Sequence, residues 1–433
     1  MSEKILILGL SKSGISAAKY AISKGYDVYL TESKSEVNLE QVKELEALGV
    51  KVEYGSHSDA FIDGAAFAIT SPGIPPKSEI FQRLNAKNIK IISEVEFAYL
   101  NTQTPFIAIT GTNGKTTTTA LVSHILSKKF SAPVCGNIGV PPTSLINEKH
   151  DFLVLEISSY QAQMTEKFKA KIACWTNFTP DHIDWHGGLD NYFKAKAKIF
   201  FPPQEPEFAI LNAKDEKLDE FSKECKNVIF FDKPKDCGIK DNAIFYKGEE
   251  IIKLSDCPLV GHHNYQNIMC GIIIAKLVGM ENSDIRVQIM SFRAPEHRLE
   301  KVREFNGITF YNDSKATNPE ASIVAIDSFN NQDVALILGG RDKNTDLTEM
   351  CSSINKHIKT VLLIGEATER FEKNLKKNGF SNIIKEGTLE SAIDKAISLN
   401  PDVVLLSPAC ASFDMFKSYE HRGEVFKDYV LSK

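Results

Sequence analysis

Short apolar runs, each followed at once by small and polar residues, recur along this chain, and the stretches between several of them carry apolar positions at helical spacing. Residues 4–9, 27–30, 66–70, 106–109, 151–157, 172–177, 209–212, 308–311, 334–338 and 403–406 read as buried strands. Helical spacing marks 12–24, 116–126, 192–198 and 268–278. Strands alternating with helices predict parallel sheets and an α/β class. The pattern restarts after Ile92 and loosens again near 292–295. It divides the chain into three domains, 1–92, 93–294 and 295–433. Residues 216–255 are weakly patterned and rich in lysine and acids, so they read as peripheral strands and loops. No short-period repeat or low-complexity tract interrupts the α/β unit.

The most informative strand end is Gly111-Thr112-Asn113-Gly114-Lys115-Thr116-Thr117. Small residues between a buried strand and a helix let several backbone N–H groups converge on phosphate oxygens, and the helix dipole adds to the attraction. Lys115 would reach the terminal phosphates and Thr116 would offer a hydroxyl to magnesium. Ile109 stands where the general phosphate-loop pattern wants glycine, so the loop is a variant tightened around Gly111. An isolated Gly-Lys-Thr is also an ordinary turn; the flanking strand and helix favour phosphate.

Other strand ends carry chemistry of their own. Gly9-Leu10-Ser11-Lys12-Ser13-Gly14 opens a helix, but Ser11 replaces the middle glycine of the dinucleotide fingerprint. Glu32 falls near the place of a ribose-binding acid, yet a turn holding another diphosphate is the more economical reading. Ser71-Pro72-Gly73-Ile74-Pro75-Pro76 belongs on the carboxyl edge of the same sheet, or is a plain proline turn. Glu156 ends the strand after the loop strand, a position for a metal-binding acid. Asp181, His182, Asp184 and His186 follow the next strand, and oxygen-rich ligands with one imidazole suit Mg2+ or Mn2+. Lys194, Lys196 and Lys198 sit two apart on a helix and cannot share one face, so one turns inward, with Lys196 the candidate. Beside divalent cations an inward lysine favours losing its proton, and a neutral amine can take up carbon dioxide as a carbamate. Asn264 has an alternative as a helix N-cap.

Composition changes this picture little but narrows the partners. The chain has 433 residues, 42% hydrophobic and 25% charged, and its net charge of -5 gives no basic footprint for nucleic acid. Eight cysteines without a C-x-x-C pair fit a reduced compartment, and no apolar stretch approaches the length of a bilayer span. A cytoplasmic protein without a membrane span is expected.

With these motifs in hand, the chain resembles the ATP-dependent Mur ligases, and within them the branch that adds D-glutamate to UDP-N-acetylmuramoyl-L-alanine. GTNGKT at 111–116 is shared with folylpolyglutamate synthases, whereas SPGIP at 71–75, GNIG at 136–139, NDSKATNP at 312–319 and SPACASFD at 407–414 resemble that branch in particular. The DNPR motif of the diaminopimelate- or lysine-adding enzymes is absent. The resemblance implies an N-terminal Rossmann-like domain for UDP, a central P-loop ATPase with a mostly parallel sheet, and a mobile C-terminal Rossmann-like domain that brings the amino acid. It implies ATP binding by Gly111 to Thr117, Asn264, Asn267, Arg298 and Asp313, the last at the ribose. Metal would be held by Thr116, Glu156, His182 and Lys196 as a carbamate, with two Mg2+ ions. Ser13, Gly73 and Asn137 fall on the UDP-sugar side; Lys315, Thr317, Lys343, Ser412 and Phe413 fall around D-glutamate. Lys115, His182, Lys196 and Lys315 form the implied catalytic set, and a monomer is expected. Thr31-Glu32-Ser33 and Arg341-Asp342 depart from relatives near the uracil and before Lys343. A folylpolyglutamate-type ligase and a nucleotide-driven switch are the rival readings.

Overall fold

The longest apolar runs become the middle strands of three sheets of five, nine and six strands. The computed structural model describes residues 2–259, 261–293, 296–329, 332–342 and 345–433. These form two units, one of Met1–Cys257 with Gln266–Phe292, the other of Pro258–Tyr265 with Arg293–Lys433.

The first unit holds two sheets. In the first sheet β1 (Lys4–Leu8), β2 (Asp27–Glu32), β3 (Lys51–Tyr54), β4 (Phe67–Thr70) and β5 (Lys90–Ser93) run parallel in the order β3-β2-β1-β4-β5. The order reverses at β1, so the loops after β1 and β4 flank the crevice where doubly wound sheets take their ligands. The second sheet contains β6 (Phe106–Thr110), β7 (Val134–Gly136), β8 (Leu153–Glu156), β9 (Ile172–Trp175), β10 (Phe208–Asn212), β11 (Val228–Phe231), β12 (Cys237–Lys240), β13 (Ala243–Tyr246) and β14 (Glu249–Lys253). Its order is β14-β13-β12-β11-β10-β9-β6-β8-β7. All five residues of β6 are buried, as a parallel strand covered on both faces requires. Phe106, Ala108, Leu153, Leu155 and Trp175 supply part of one core layer.

The second unit is built on β15 (Glu300–Phe305), β16 (Ile308–Asn312), β17 (Val334–Gly339), β18 (Thr360–Ile364), β19 (Ile383–Lys385) and β20 (Val403–Leu406), ordered β15-β16-β20-β17-β18-β19. Only β15 is antiparallel to its neighbour. Both faces are covered, with Leu336 and Leu405 in one layer and Ile337 and Leu406 in the other.

Residues 216–255 are peripheral strands, as expected: after the helix Glu216–Phe221 they supply β11 to β14, which form one edge of the central sheet. The signal was a hairpin turn, Asp241-Asn242, where both residues adopt positive φ (49° and 58°) that matches the twist of paired strands. The helix expected from 268 begins at His262, so Asn264 lies inside its first turn, its N–H on Gly261 O at 3.0 Å, and is not the N-cap. The polar run His-His-Asn-Tyr-Gln-Asn hides this start from any test of apolar spacing.

Between the two sheets of the first unit runs the helix Glu94–Leu100, started by the Ser93 hydroxyl. Glu96 on it is 1% exposed and accepts the N–H groups of Glu166 (2.9 Å), Lys167 (2.8 Å) and Phe168 (3.0 Å). Three backbone donors on one carboxylate fix the loop after the Glu156 segment against this helix. Replacing Glu96 by Ala leaves those donors short of partners and should destabilise the unit by on the order of 3 kcal/mol. Thermal unfolding checks this, and an apparent Tm within about one degree of wild type would contradict it.

Candidate active site

The loop after β6 is shaped by close approach. Gly111 adopts φ +146° and a Cβ there would collide with Thr176 Oγ1; Gly114 adopts φ +81° and a Cβ would stand 2.7 Å from Asn267 Oδ1. Only glycine fits either place without displacement. Asn113 N–H donates to Asn177 Oδ1 (2.8 Å), and Thr176 Oγ1 donates to Asn113 O (2.6 Å). Thr112 Oγ1 donates to Thr179 O (3.0 Å), tying the loop to the segment after β9. Gly114 caps the helix Lys115–Leu126, placing buried Thr116 and Thr117 in its first turn. Asn267 Oδ1 accepts from Thr118 Oγ1 at 2.9 Å, so the Asn264–Asn267 motif meets this helix through Asn267.

Two lysines converge on one carbonyl. Lys115 Nζ donates to Gly111 O (3.0 Å) and Thr112 O (2.7 Å), and Lys196 Nζ donates to Gly111 O at 2.7 Å. Lys196 is the lysine that turns inward, 1% exposed, while Lys194 faces water. Burial, then the Lys115 charge, hold its amine well below the usual lysine range, against the opposite pull of Asp181 and Glu156. Its Nζ sits 4.8 Å over the Tyr192 ring.

Glu156 ends β8 fully enclosed. Its Oε1 accepts from Asn137 Nδ2 at 2.7 Å, and its backbone O from Asn137 N at 2.9 Å. Its Oε2 is buried with no hydrogen-bond partner among the described residues. A buried carboxylate oxygen left without a donor costs free energy unless a cation or donor meets it. The unmet Glu156 oxygen suits a hard divalent cation, although among the described residues no three His, Cys, Asp or Glu side chains converge to hold one. His182 has positive φ (51°), with its ring 5.1 Å from that of Tyr160 and 6.1 Å from that of Tyr192.

The sequence placed His186 in this polar stretch but gave it no role in the wall of the site. His186 is buried, bonds Ser159 Oγ at 3.0 Å, stacks on Tyr160 and packs on Tyr192. Burial, then His182 and Lys196, push its imidazole down to about 4, so it is neutral. Its signal was visible as the second histidine after β9. The reciprocal Ser158–Gln161 capping box starts the helix that carries Ser159 and Tyr160.

At the edge of the first sheet, Ser11 Oγ meets Ser13 Oγ (3.0 Å) and Ser71 Oγ (2.7 Å), joining the loops after β1 and β4. Gly73 lies exposed beside them with open space at its Cβ position. Glu32, the possible ribose acid, is engaged otherwise: it accepts the N–H groups of Leu10 (2.9 Å) and Lys34 (3.0 Å), pinning the β1 loop.

In the second unit Asp313 follows β16, accepting from Ser407 Oγ (2.7 Å) and Leu299 N (3.2 Å). Burial pushes its carboxyl up to about 7, against the Ser407 bond and the Arg298 charge. Arg298 Nε is buried without a partner among the described residues. Lys315 is held through its N–H on His297 O (3.0 Å), with Nζ 5.7 Å over Tyr419, a residue not anticipated. Thr317 is half-buried and Ser412 buried, whereas Phe413 is 64% exposed. Lys343 lies outside the described residues.

Three family models match the chain: the Mur ligase MurD-like N-terminal domain over 3–93, the Mur ligase middle domain over 109–275, and the Mur ligase glutamate ligase domain over 297–410. The chain is 37% identical to the UDP-N-acetylmuramoylalanine–D-glutamate ligase of Thermoanaerobacter pseudethanolicus, covering 99% of this chain and 98% of that protein. It is 39% identical to the ligase of the same name from Koribacter versatilis, over 99% and 97%. In fold it is similar to the UDP-N-acetylmuramate-alanine ligase MurC of Thermotoga maritima, with a TM-score of 0.63 at 19% identity over 99% of this chain and 100% of that one.

Asp313 links this geometry to pH. A folded-state pKa raised from 3.8 to about 7 means that the folded state holds the proton more tightly than the unfolded one. Stability from this group is therefore full below about pH 4 and is lost as pH rises through about 7. Asp313→Asn should remove that loss and raise the apparent Tm at pH 8 by several degrees, with little change at about pH 4. Calorimetry at the two pH values checks it; an equal shift at both would contradict the assignment.

Proposed function

The chain belongs to the Mur ligase family, and from that premise we propose that it joins D-glutamate to UDP-N-acetylmuramoyl-L-alanine with cleavage of ATP to ADP and phosphate. This is a step of peptidoglycan precursor synthesis. The observation that carries the reading is the meeting of Lys115 and Lys196 on the Gly111 carbonyl, in the same unit as a buried Glu156 with an unmet oxygen. That arrangement suits a triphosphate and a divalent cation.

A carboxylate does not react with an amine at neutral pH, so the muramoyl-alanine carboxylate first takes the terminal phosphoryl group of ATP. The resulting acyl phosphate is attacked by the D-glutamate amine; the C–N bond forms, phosphate leaves with the C–O bond, and the amine gives up a proton. Lys115 leaves the Gly111 and Thr112 carbonyls for the phosphates, and loop N–H groups hold the transferring group in line. Thr116, Glu156, His182 and Lys196 would hold Mg2+, two ions in our reading or Mn2+ in its place. When bound, the metal neutralises charge on the phosphoryl oxygens.

Lys196 serves this set as a carbamate. Its buried amine, short of its proton, adds carbon dioxide and releases a proton, turning a repelled cation into an anionic oxygen ligand. Asn264, Asn267, Arg298 and Asp313 complete the nucleotide set, and Ser13, Gly73 and Asn137 take the UDP-sugar side. Lys315, Thr317, Lys343, Ser412 and Phe413 receive D-glutamate. Domain boundaries at 1–92, 93–294 and 295–433, a monomeric state and a cytoplasmic location belong to the same proposal.

Phosphate release from ATP with Mg2+ and UDP-N-acetylmuramoyl-L-alanine should require D-glutamate and fail with L-glutamate, L-lysine or no amino acid. The nucleotide product should gain the mass of one glutamyl residue. Release with no amino acid, or only with another one, would overturn the substrate assignment. Lys115→Ala should abolish phosphate release, by about a thousandfold or more, while UDP-substrate binding measured by calorimetry stays within about threefold. Unchanged turnover would remove Lys115 from the mechanism.

A further inference from the structure

The acid Glu94 stands at the junction of the two sheets of the first unit, directly after β5 and at the start of the helix Glu94–Leu100. It is 3% exposed; its Oε1 accepts the N–H of Thr143 at 2.7 Å, and its Oε2 is buried with no hydrogen-bond partner among the described residues. Thr143 in turn donates its hydroxyl to Ser16 Oγ at 2.8 Å, on the helix Lys12–Ser23 that Ser11 caps. Glu156 holds the same stretch of chain at its other end. Asn137 donates both its backbone N–H and its side-chain amide to that residue, and a Cβ on Gly136 would collide with the Glu156 carbonyl. Between the two anchors lie Pro141 and Pro142, whose rings fix φ, and Ile146 just beyond packs on the cores of both sheets.

Enclosing an acid with one oxygen unmet costs free energy, and a hydrocarbon of similar volume would pack without that cost. What the carboxyl adds is a directional hold: an acceptor on a helix that follows the first sheet grips a segment that belongs to the second. We propose that Glu94 is a positioning residue for the UDP-sugar substrate: with Thr143 and Ser16 it fixes the 137–143 segment between the helix Lys12–Ser23 and Glu156, so that Asn137 is set in register with the β1 loop before the substrate binds. The two prolines stiffen the segment, so a shift at Thr143 passes to Asn137 instead of being absorbed between them. A substrate that reaches from the Ser13 turn to the Asn137 amide then meets both ends already spaced, and no loop has to be ordered on binding.

This inference rests on the UDP-substrate reading, which calorimetric binding of UDP-N-acetylmuramoyl-L-alanine to wild type, without ATP or metal, checks independently of any variant. No binding there would remove that reading, whereas binding that the variants leave unchanged would remove only this inference. Glu94→Leu keeps the volume and removes the acceptor; it should weaken that binding about tenfold while KM for D-glutamate and for ATP stays within about twofold of wild type. Glu94→Gln keeps the acceptor, and burial pushes the Glu94 carboxyl up to about 7, so a neutral amide is close to it in charge. Its affinity should stay within about twofold of wild type. Thr143→Val removes the bond to Ser16 and should weaken binding a few-fold. In an Asn137→Ala background Glu94→Leu should cost about twofold or less, because both act through the same amide. Losses that multiply in the double variant, an equal loss in Glu94→Gln, or a lowered Tm at unchanged substrate affinity would each mean a merely structural acid and overturn the proposal. If Glu94→Leu does not fold, Thr143→Val decides: wild-type affinity there, or a loss that multiplies with that of Asn137→Ala, overturns it.

Discussion

The carbonyl oxygen of Gly111 is the point on which the first unit depends, because it accepts from both Lys115 and Lys196. Two amines on one acceptor cannot both keep a full charge easily, and the fully enclosed Lys196 is the one that yields. The glycine that offers this carbonyl is fixed by Thr176, which has no room for a Cβ. Fold and chemistry meet there: a conformational demand of the backbone places two amines on one carbonyl, and burial, then the neighbouring charge, weakens the hold of Lys196 on its proton.

The same economy operates in all three sheets. Parallel strands place their carboxyl ends on one edge, and at those edges the side chains satisfy one another until a ligand arrives. Ser11, Ser13 and Ser71 bond among themselves after β1 and β4; Asn137 holds one oxygen of Glu156 and leaves the other bare; Ser407 and Leu299 occupy Asp313. Among the several unmet buried atoms, Glu156 Oε2 and Arg298 Nε are ones to which the proposed metal and nucleotide would bring partners.

The strands, their polar ends and the inward turn of Lys196 were legible in the sequence because each follows from local periodicity. Legibility failed where contacts are made far along the chain. Glu96 looks like any helical glutamate, and its hold on residues 166–168 is invisible from its neighbours. Arg422, in a run reading Glu-His-Arg-Gly-Glu, resembles a solvated helix face, yet it is buried by loops more than a hundred residues upstream as well as by its own neighbours. Glu32 shows the opposite failure: its position was informative, but the backbone of Leu10 and Lys34 had already taken its carboxylate. Residues 216–255 were legible as peripheral strands, whereas their continuation of the central sheet was not, although Asp241-Asn242 marked a hairpin.

The account therefore turns on the chemical state of one side chain. Incubation of active protein with 13C-labelled bicarbonate, followed by 13C NMR with wild type and Lys196→Ala side by side, reads that state directly. The account predicts a carbamate carbonyl resonance in the wild type that is absent from Lys196→Ala, together with loss of turnover in the variant. A wild-type preparation that turns over while showing no carbamate resonance would contradict it.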